Sequence, residues 1–141
     1  MSWLLPRPRV VALVARDAGL ATLHGLLWPT PRIELLAIFT HRLRPRSEDP
    51  HRRERDDFAR FVDLAAEYGV PLQAIDDRPA ARGMLGLARL VPIDILLSVS
   101  WRNRVEAEHL GLARVAAINL HRGRLPDYAG AEPVRRALEA G

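Results

Sequence analysis

Short apolar runs alternate with helix-like segments along the chain, and this alternation constrains the fold more than any other feature. The first run, Arg9–Ala15 (RVVALVA), is short, rich in valine and almost continuous, as is typical of a strand buried on both faces. Four later runs share these properties: Ile33–Thr40, Val70–Ile75, Ile93–Val99 and Val115–Leu120. Strands that alternate with helices predict an α/β domain with a mostly parallel central sheet that helices cover on both faces.

The segments between these runs have the spacing and the end signals of helices. In the clearest one, apolar residues recur at i, i+3, i+4 and i+7, which predicts one buried face formed by Phe58, Phe61, Val62 and Ala65. Gly69 stands where a helix-ending glycine belongs. Further helices are predicted over Leu20–Leu27, over Ala80–Leu90, around Val105–Leu110 and from Pro133 to Gly141.

The composition excludes several classes of protein. The chain has 141 residues, which fits one domain, and no cysteine, so disulfides, thiolate metal sites and cysteine nucleophiles are absent. No apolar run reaches the roughly 18 residues that a membrane helix requires, which predicts a cytoplasmic protein. All 21 basic residues are arginine and the net charge is only +4, so charge alone does not indicate a nucleic-acid partner.

The sequence also argues against a resident metal and against a nicotinamide cofactor. The histidines lack the spacing of metal ligands, and no carboxylate cluster completes a site, which predicts a protein without a metal. The loop that follows the first strand, residues 16–19, contains one glycine, whereas the dinucleotide fingerprint requires three at set spacing.

Two polar side chains follow the fifth apolar run. Asn119 lies near the end of this predicted strand, and His121 comes two residues later. Because residues two apart in an extended segment point to the same side, an amide and an imidazole should project together. Ligands of parallel sheets bind at the carboxyl ends of the strands, which favours a site here. The pair alone also fits an asparagine that caps a turn beside an exposed histidine.

The residues around this pair resemble the signature of the formyltransferase family. That signature is Asn-x-His-x-Ser-Leu-Leu-Pro-x-x-x-Gly-x-x-Pro, and the family includes methionyl-tRNA, phosphoribosylglycinamide and sugar-nucleotide formyltransferases. The matching positions, in order and at the right spacing, are Asn119, His121, Leu125, Pro126, Gly130 and Pro133. Gly123 and Arg124 depart from the pattern, since they replace the usual Ser-Leu. This departure leaves the identity of the substrate open.

The resemblance implies a Rossmann-like three-layer fold, with residues 1–141 forming part of the family's N-terminal catalytic, folate-binding domain. It implies transfer of a formyl group from 10-formyltetrahydrofolate to an amine. The Asn119 amide and a protonated His121 would donate to the oxyanion of the transition state, and His121 could act as general acid. The loop after the fourth strand would hold the folate; its residues are Trp101, Arg102, Asn103, Arg104 and Val105. A packing role for Trp101 is the alternative.

The resemblance further implies that an aspartate from a later strand favours the charged form of His121, since an imidazole is only partly protonated near neutral pH. Residues 122–141 supply no matching aspartate, so the 141-residue chain is expected to show little or no turnover and to be incomplete at its C-terminus. The alternative is a catalytically inactive domain that binds folate or another protein.

The acceptor amine is the least constrained part of the prediction. By resemblance, methionyl-tRNA or a sugar nucleotide is favoured, because the segment after the second strand is long. The loop Arg42–Arg55 could contact tRNA, but arginines and carboxylates are almost balanced over residues 41–57. This balance fits a solvated mixed-charge loop better than a phosphate-binding patch.

Overall fold

A five-stranded parallel sheet forms the centre of the computed structural model, which describes residues 5–77, 86, 90–130 and 132–141. The strands are β1 (Arg9–Val14), β2 (Glu34–Thr40), β3 (Leu72–Ala74), β4 (Ile93–Val99) and β5 (Ala113–Leu120). Their order in the sheet is β3-β2-β1-β4-β5, so the chain reverses its direction of winding between β1 and β4. The predicted α/β class and the parallel sheet are confirmed.

Four described helices accompany the sheet: α1 (Arg16–Leu27), α2 (Phe58–Glu67), α3 (Ala107–Leu110) and α4 (Pro133–Ala140). Helix α1 begins directly after β1, earlier than the apolar spacing predicts, and Asp17 lies in its first turn, where a carboxylate is favourable. The helix predicted over Ala80–Leu90 lies outside the described residues, apart from positions 86 and 90. None of the described helices is long and apolar enough to cross a bilayer.

Strand β1 divides the apolar interior into two clusters. Val10, Ala12 and Val14 pack on the side of α1 and α2, whereas Val11 and Leu13 pack on the opposite face. All five side chains are almost completely buried. This two-sided burial explains why the run is apolar without interruption, since a central parallel strand has no face in water.

Helix α2 buries a narrower face than its spacing predicts. Phe61, Leu64 and Ala65 are buried, whereas Val62 is 42% exposed. The prediction was therefore wrong for Val62, which lies about 100° around the helix from Phe61 and falls outside the stripe centred on the buried residues.

Helix α2 ends at Glu67, and Gly69 forms the turn just beyond it, where a helix-ending glycine was predicted. The φ of Gly69 is 63°, in the left-handed region that glycine adopts without strain. Its N–H donates to the carbonyl of Ala66 at 3.2 Å, and the N–H of Val70 donates to the carbonyl of Ala65 at 2.8 Å. This pair of bonds is the Schellman motif, and it turns the chain towards β3.

Strand β5 lies at one end of the sheet and is more exposed than the other strands. Val115 is 74% exposed and Leu120 is 47% exposed. In α4, Leu138 is 78% exposed. Helices were predicted to cover both faces of the sheet, but among the described residues they leave much of β5 uncovered.

Replacing Phe61 with alanine should lower the free energy of unfolding by about 3–5 kcal/mol, because the ring is 1% exposed and its removal leaves a cavity. The neighbouring Val62→Ala is the matched control and should cost about 0.5 kcal/mol or less, as exposed substitutions do. Urea unfolding of both variants measures the difference. Equal losses would contradict the burial described here.

Candidate functional site

A cavity of about 330 Å³ opens at the carboxyl ends of β4 and β5. Five of the residues that the sequence singled out line it: Trp101, Asn103, Arg104, Val105 and Asn119. The loop after β4 therefore faces the end of β5 across one space. The volume lies at the small end of the range of about 300–1,000 Å³ that ligand sites span.

The register of β4 and β5 brings Asn119 to the cavity. Asn119 pairs with Ser98 on the neighbouring strand, and both residues line the space. The remaining strand residues in the lining are apolar, among them Leu96 and Ile118. An exposed amide at the edge of an apolar surface can orient a bound polar group.

His121 lies just beyond β5, and its ring is held by the loop that follows. Its Nε2 atom is 2.8 Å from the carbonyl oxygen of Tyr128. A carbonyl can only accept a hydrogen bond, so Nε2 carries the proton and donates. Nδ1 is then the ring atom left to interact with another group. His121 is not part of the cavity lining, so the described geometry does not bring it into that space with Asn119.

Gly123 makes this loop possible, because its position has no room for a side chain. A Cβ atom there would lie 2.4 Å from the Cβ of Pro133 and 2.7 Å from the Cβ of Tyr128. Pro133 and Tyr128 thus occupy the space beside residue 123, where the formyltransferase signature has serine. Glycine at position 123 therefore suits the packing of the loop around His121.

Trp101 packs against another ring and also lines the cavity. Its ring lines the cavity, and it also stacks on His41 with centroids 4.0 Å apart and planes at 24°. The residue before it, Ser100, has φ 53°, a left-handed conformation that few residues other than glycine adopt. This turn ends β4 and directs Trp101 back over the sheet.

Arg102 points away from the cavity. Its Nη1 donates to the carbonyl of Leu43 at 2.7 Å, and its Nη2 donates to the carbonyl and to the Oδ1 of Asp76, both at 3.2 Å. The side chain therefore ties the loop after β4 to the loops after β2 and β3. It stabilises the loop that carries the other four predicted folate residues.

His41 is a buried residue of this region for which the sequence predicted no role, because the histidines lack the spacing of metal ligands. It directly follows β2 and is 1% exposed, and its Nδ1 atom lies 2.6 Å from the carbonyl oxygen of Ile75. Its Nε2 atom lies 3.4 Å from the backbone nitrogen of Arg102. Burial, followed by the charge of Arg102, lowers the pKa of His41 to about 4, against the opposing effect of the Ile75 carbonyl. The ring is therefore neutral at physiological pH.

A second cavity, of about 430 Å³, lies at the carboxyl ends of β1 and β2 and is lined only by charged residues. Asp57 accepts two hydrogen bonds from the Arg55 side chain, at 2.9 and 2.6 Å, and one from the Arg16 backbone. Burial raises the pKa of Asp57, but these bonds and the Arg55 charge outweigh it, so the net pKa is lowered. The space at the start of α1 thus already holds a carboxylate of the protein itself.

Carboxylates pair with the arginines of the loop after β2. Within the described residues, five arginines of this loop form ion pairs: Arg42 with Glu54, Arg44 with Asp56, Arg52 with Asp77, Arg53 with Asp49, and Arg55 with Asp57. The loop therefore presents little unpaired positive charge.

Among the described residues, no group of three or more histidine, aspartate or glutamate side chains could hold a metal ion.

Several solved structures share this fold, among them the following two. Formyltetrahydrofolate deformylase from Burkholderia mallei ATCC 23344 matches with a TM-score of 0.66 and 20% identity, over 96% of this chain and 45% of that chain. Phosphoribosylglycinamide formyltransferase from Bacillus halodurans matches with a TM-score of 0.65 and 16% identity, over 94% of this chain and 66% of that chain. No protein-family model matches the sequence. The formyltransferase fold that the resemblance implied is confirmed, in a chain that spans less than half of the first protein and about two thirds of the second.

The stability of the protein should fall as the pH drops below the ordinary pKa of histidine. The pKa of His41 is about 4 in the folded protein and 6.5 in the unfolded chain, so the unfolded chain binds more protons between these values. The neutral His41 ring contributes in full to the free energy of unfolding above pH 6.5. This contribution, on the order of 3 kcal/mol, is lost as the pH falls towards 4. Denaturant unfolding from pH 7 to pH 4, in wild type and His41→Phe, measures it. If the free energy of unfolding depends on pH in the same way in the two proteins, the prediction is contradicted.

Gly123→Ala should destabilise the protein by about 1–3 kcal/mol, because the new methyl group would overlap Pro133 and Tyr128. Gly25→Ala is the matched control. Gly25 lies inside α1 with open space around its Cβ position, so alanine should stabilise by about 0.5–1 kcal/mol. Thermal unfolding of both variants tests the contrast. A Gly123→Ala protein as stable as wild type would show that the loop does not pack as described.

Proposed function

We propose that this protein transfers a formyl group from 10-formyltetrahydrofolate to an amine. One observation carries the proposal. Asn119 and four residues of the loop Trp101–Val105, to which the resemblance to formyltransferases assigns the oxyanion and the folate, line one cavity. The names of two proteins that share the fold, a formyltetrahydrofolate deformylase and a phosphoribosylglycinamide formyltransferase, also support formyl chemistry.

The cavity suits one flat ring system of the folate. Trp101 and Val105 provide an apolar wall, and Asn103 lies beside them. Because the Arg102 side chain is engaged with Leu43 and Asp76, this residue would contribute through its backbone. Backbone N–H and C=O groups of the loop would then recognise the polar edge of the pterin, as a few placed polar groups do in ligand sites.

In the reaction, the lone pair of the amine attacks the formyl carbon, and the carbonyl electrons move to oxygen. The Asn119 side-chain amide would donate a hydrogen bond to this oxyanion, and one such donor commonly accounts for a factor of about 10²–10³ in rate. Collapse of the tetrahedral intermediate breaks the bond between carbon and the folate N10, which takes up a proton. The attacking amine releases one proton, so the transfer is balanced.

His121 would exchange these protons through its Nδ1 atom, since Nε2 donates to Tyr128. In the neutral ring, Nδ1 can accept the proton of the attacking amine. In the charged ring, Nδ1 can donate to the oxyanion or to N10. The Tyr128 carbonyl bonds to Nε2 in both states, so it holds the ring orientation throughout the cycle.

The arrangement of charges favours a small amine acceptor, such as an amino sugar nucleotide, over methionyl-tRNA. A tRNA contact through the Arg42–Arg55 loop requires arginines that are free to bind phosphates. Five arginines of that loop are instead paired with carboxylates.

A second candidate function is a catalytically inactive domain that binds folate. Two observations favour it: His121 does not line the cavity that Asn119 lines, and Gly123 leaves no room for the serine of the signature. Both functions predict folate binding, and only the first predicts transfer.

In the native protein, Asn119→Ala should lower kcat for formyl transfer by about 10²–10³ with a smaller change in the KM for folate, because the lost donor acts in the transition state. His121→Ala should lower kcat by about 10²–10⁴ through loss of proton transfer. Steady-state assays with 10-formyltetrahydrofolate and candidate amines measure both effects.

Asn103→Ala is the matched control, because Asn103 is an asparagine of the same cavity that is assigned only to folate binding. It should raise the KM for folate and leave kcat nearly unchanged. Because little turnover is expected of residues 1–141 alone, the decisive assay uses the unsubstituted native protein. Folate binding by that protein without transfer to any amine would reject the enzyme and favour the inactive domain.

A further inference from the structure

We propose that His41 is a positioning residue for folate binding, which holds the loop Trp101–Val105 in place without lining the cavity itself. The inference rests on the proposed function, since it assigns the loop a folate ligand. It adds a residue that lies outside the signature and does not line the cavity. His41 would act through Trp101 and Arg102 rather than by touching folate.

The first support is the ring contact between His41 and Trp101. The two rings stack at 4.0 Å, and Trp101 also lines the cavity. The buried His41 ring therefore fixes the plane of the Trp101 indole, which lines the cavity. His41 is 1% exposed, so the imidazole cannot tilt without disturbing the core.

The second support is the pair of backbone groups that the ring holds. Nδ1 donates to the carbonyl of Ile75 at 2.6 Å, which leaves Nε2 as an acceptor for the N–H of Arg102 at 3.4 Å. Ile75 follows β3 and Arg102 follows β4, whereas β2 and β1 lie between these strands in the sheet. One side chain thus connects loops that the sheet keeps apart.

The third support is a parallel connection through the Arg102 side chain, which bonds to Leu43 in the loop after β2 and to Asp76 in the loop after β3. The backbone of Arg102 and its side chain are both anchored away from the cavity. The loop therefore has a fixed course, with the neighbouring Trp101 and Asn103 directed to the cavity. Preorganisation of this kind strengthens binding because less freedom is lost when the ligand arrives.

A purely apolar side chain at position 41 would keep the packing of the core but would not hold the loop by hydrogen bonds. It could fill the space beneath Trp101, yet it would leave the Ile75 carbonyl and the Arg102 N–H without their present partners. His41→Phe separates the two roles, since phenylalanine retains an aromatic ring beneath Trp101 and lacks both polar atoms.

The test measures binding of a stable 10-formylfolate analogue to the full chain by titration calorimetry, in wild type, His41→Phe and Arg102→Lys. Each variant should raise the Kd about tenfold, because the loop loses roughly one of the hydrogen bonds that fix its course before the ligand binds. Two-dimensional NMR of isotope-labelled protein should show a changed chemical shift for the Arg102 amide in His41→Phe, because that amide loses its hydrogen-bond acceptor.

His24→Phe is the matched control. His24 lies in α1 and also stacks on a tryptophan, Trp28, with ring centroids 5.6 Å apart. It should bind the analogue as wild type does.

Variants that fold and bind the analogue with the wild-type Kd would overturn the positioning role, whatever their stability. Arg102→Lys provides this test even if His41→Phe does not fold, since the arginine lies closer to the surface. If wild type does not bind the analogue, the proposed function fails instead. The NMR comparison then decides the loop connection by itself, because an unmoved Arg102 amide in His41→Phe would overturn it.

Discussion

The parallel pairing of β1 with β4 is the constraint on which the rest of the structure depends. β1 is buried on both faces, and its pairing with β4 reverses the winding of the sheet. Because all strands run the same way, their carboxyl ends meet at one edge, and each connecting loop starts there. The two cavities, the His41 connection and the loop that holds His121 all lie along this edge.

The two cavities of this edge have opposite character. The one between β4 and β5 combines an apolar floor with Trp101 and Asn119, as sites for small organic ligands do. The one beside β1 and β2 contains equal numbers of arginines and carboxylates, and Asp57 bonds to the start of α1. The folate ring proposed for the first cavity would not have to displace an ion pair among its described lining residues. In the second, an anion would have to displace a carboxylate that the protein supplies.

The strands were predictable because their signal is local. A central parallel strand must be apolar on both faces, so each run in the sequence marked its strand to within a few residues. The Gly69 cap was predictable for the same reason, since only the local φ matters. Val62 shows the limit of a periodic pattern: an apolar residue can fit the spacing of a face and still lie beyond the edge of the buried stripe.

The candidate site was only partly predictable, because its remaining contacts join residues far apart in the chain. Asn119 and His121 were found from their place after a strand, but the bond from His121 to Tyr128 depends on the fold of a loop. His41 and Trp101 lie 60 residues apart, and no spacing rule joins them. Gly123 was visible as a departure from the signature, but the reason for glycine, the closeness of Pro133, appears only in three dimensions.

The most direct test of the central claim is a crystal structure of the protein with a stable 10-formylfolate analogue. We expect the pterin ring to lie against Trp101 and the loop to Val105, with the formyl oxygen within hydrogen-bond distance of the Asn119 amide. An analogue bound instead in the charged cavity beside Arg16 and Asp57, or bound with its formyl group away from Asn119, would contradict the claim.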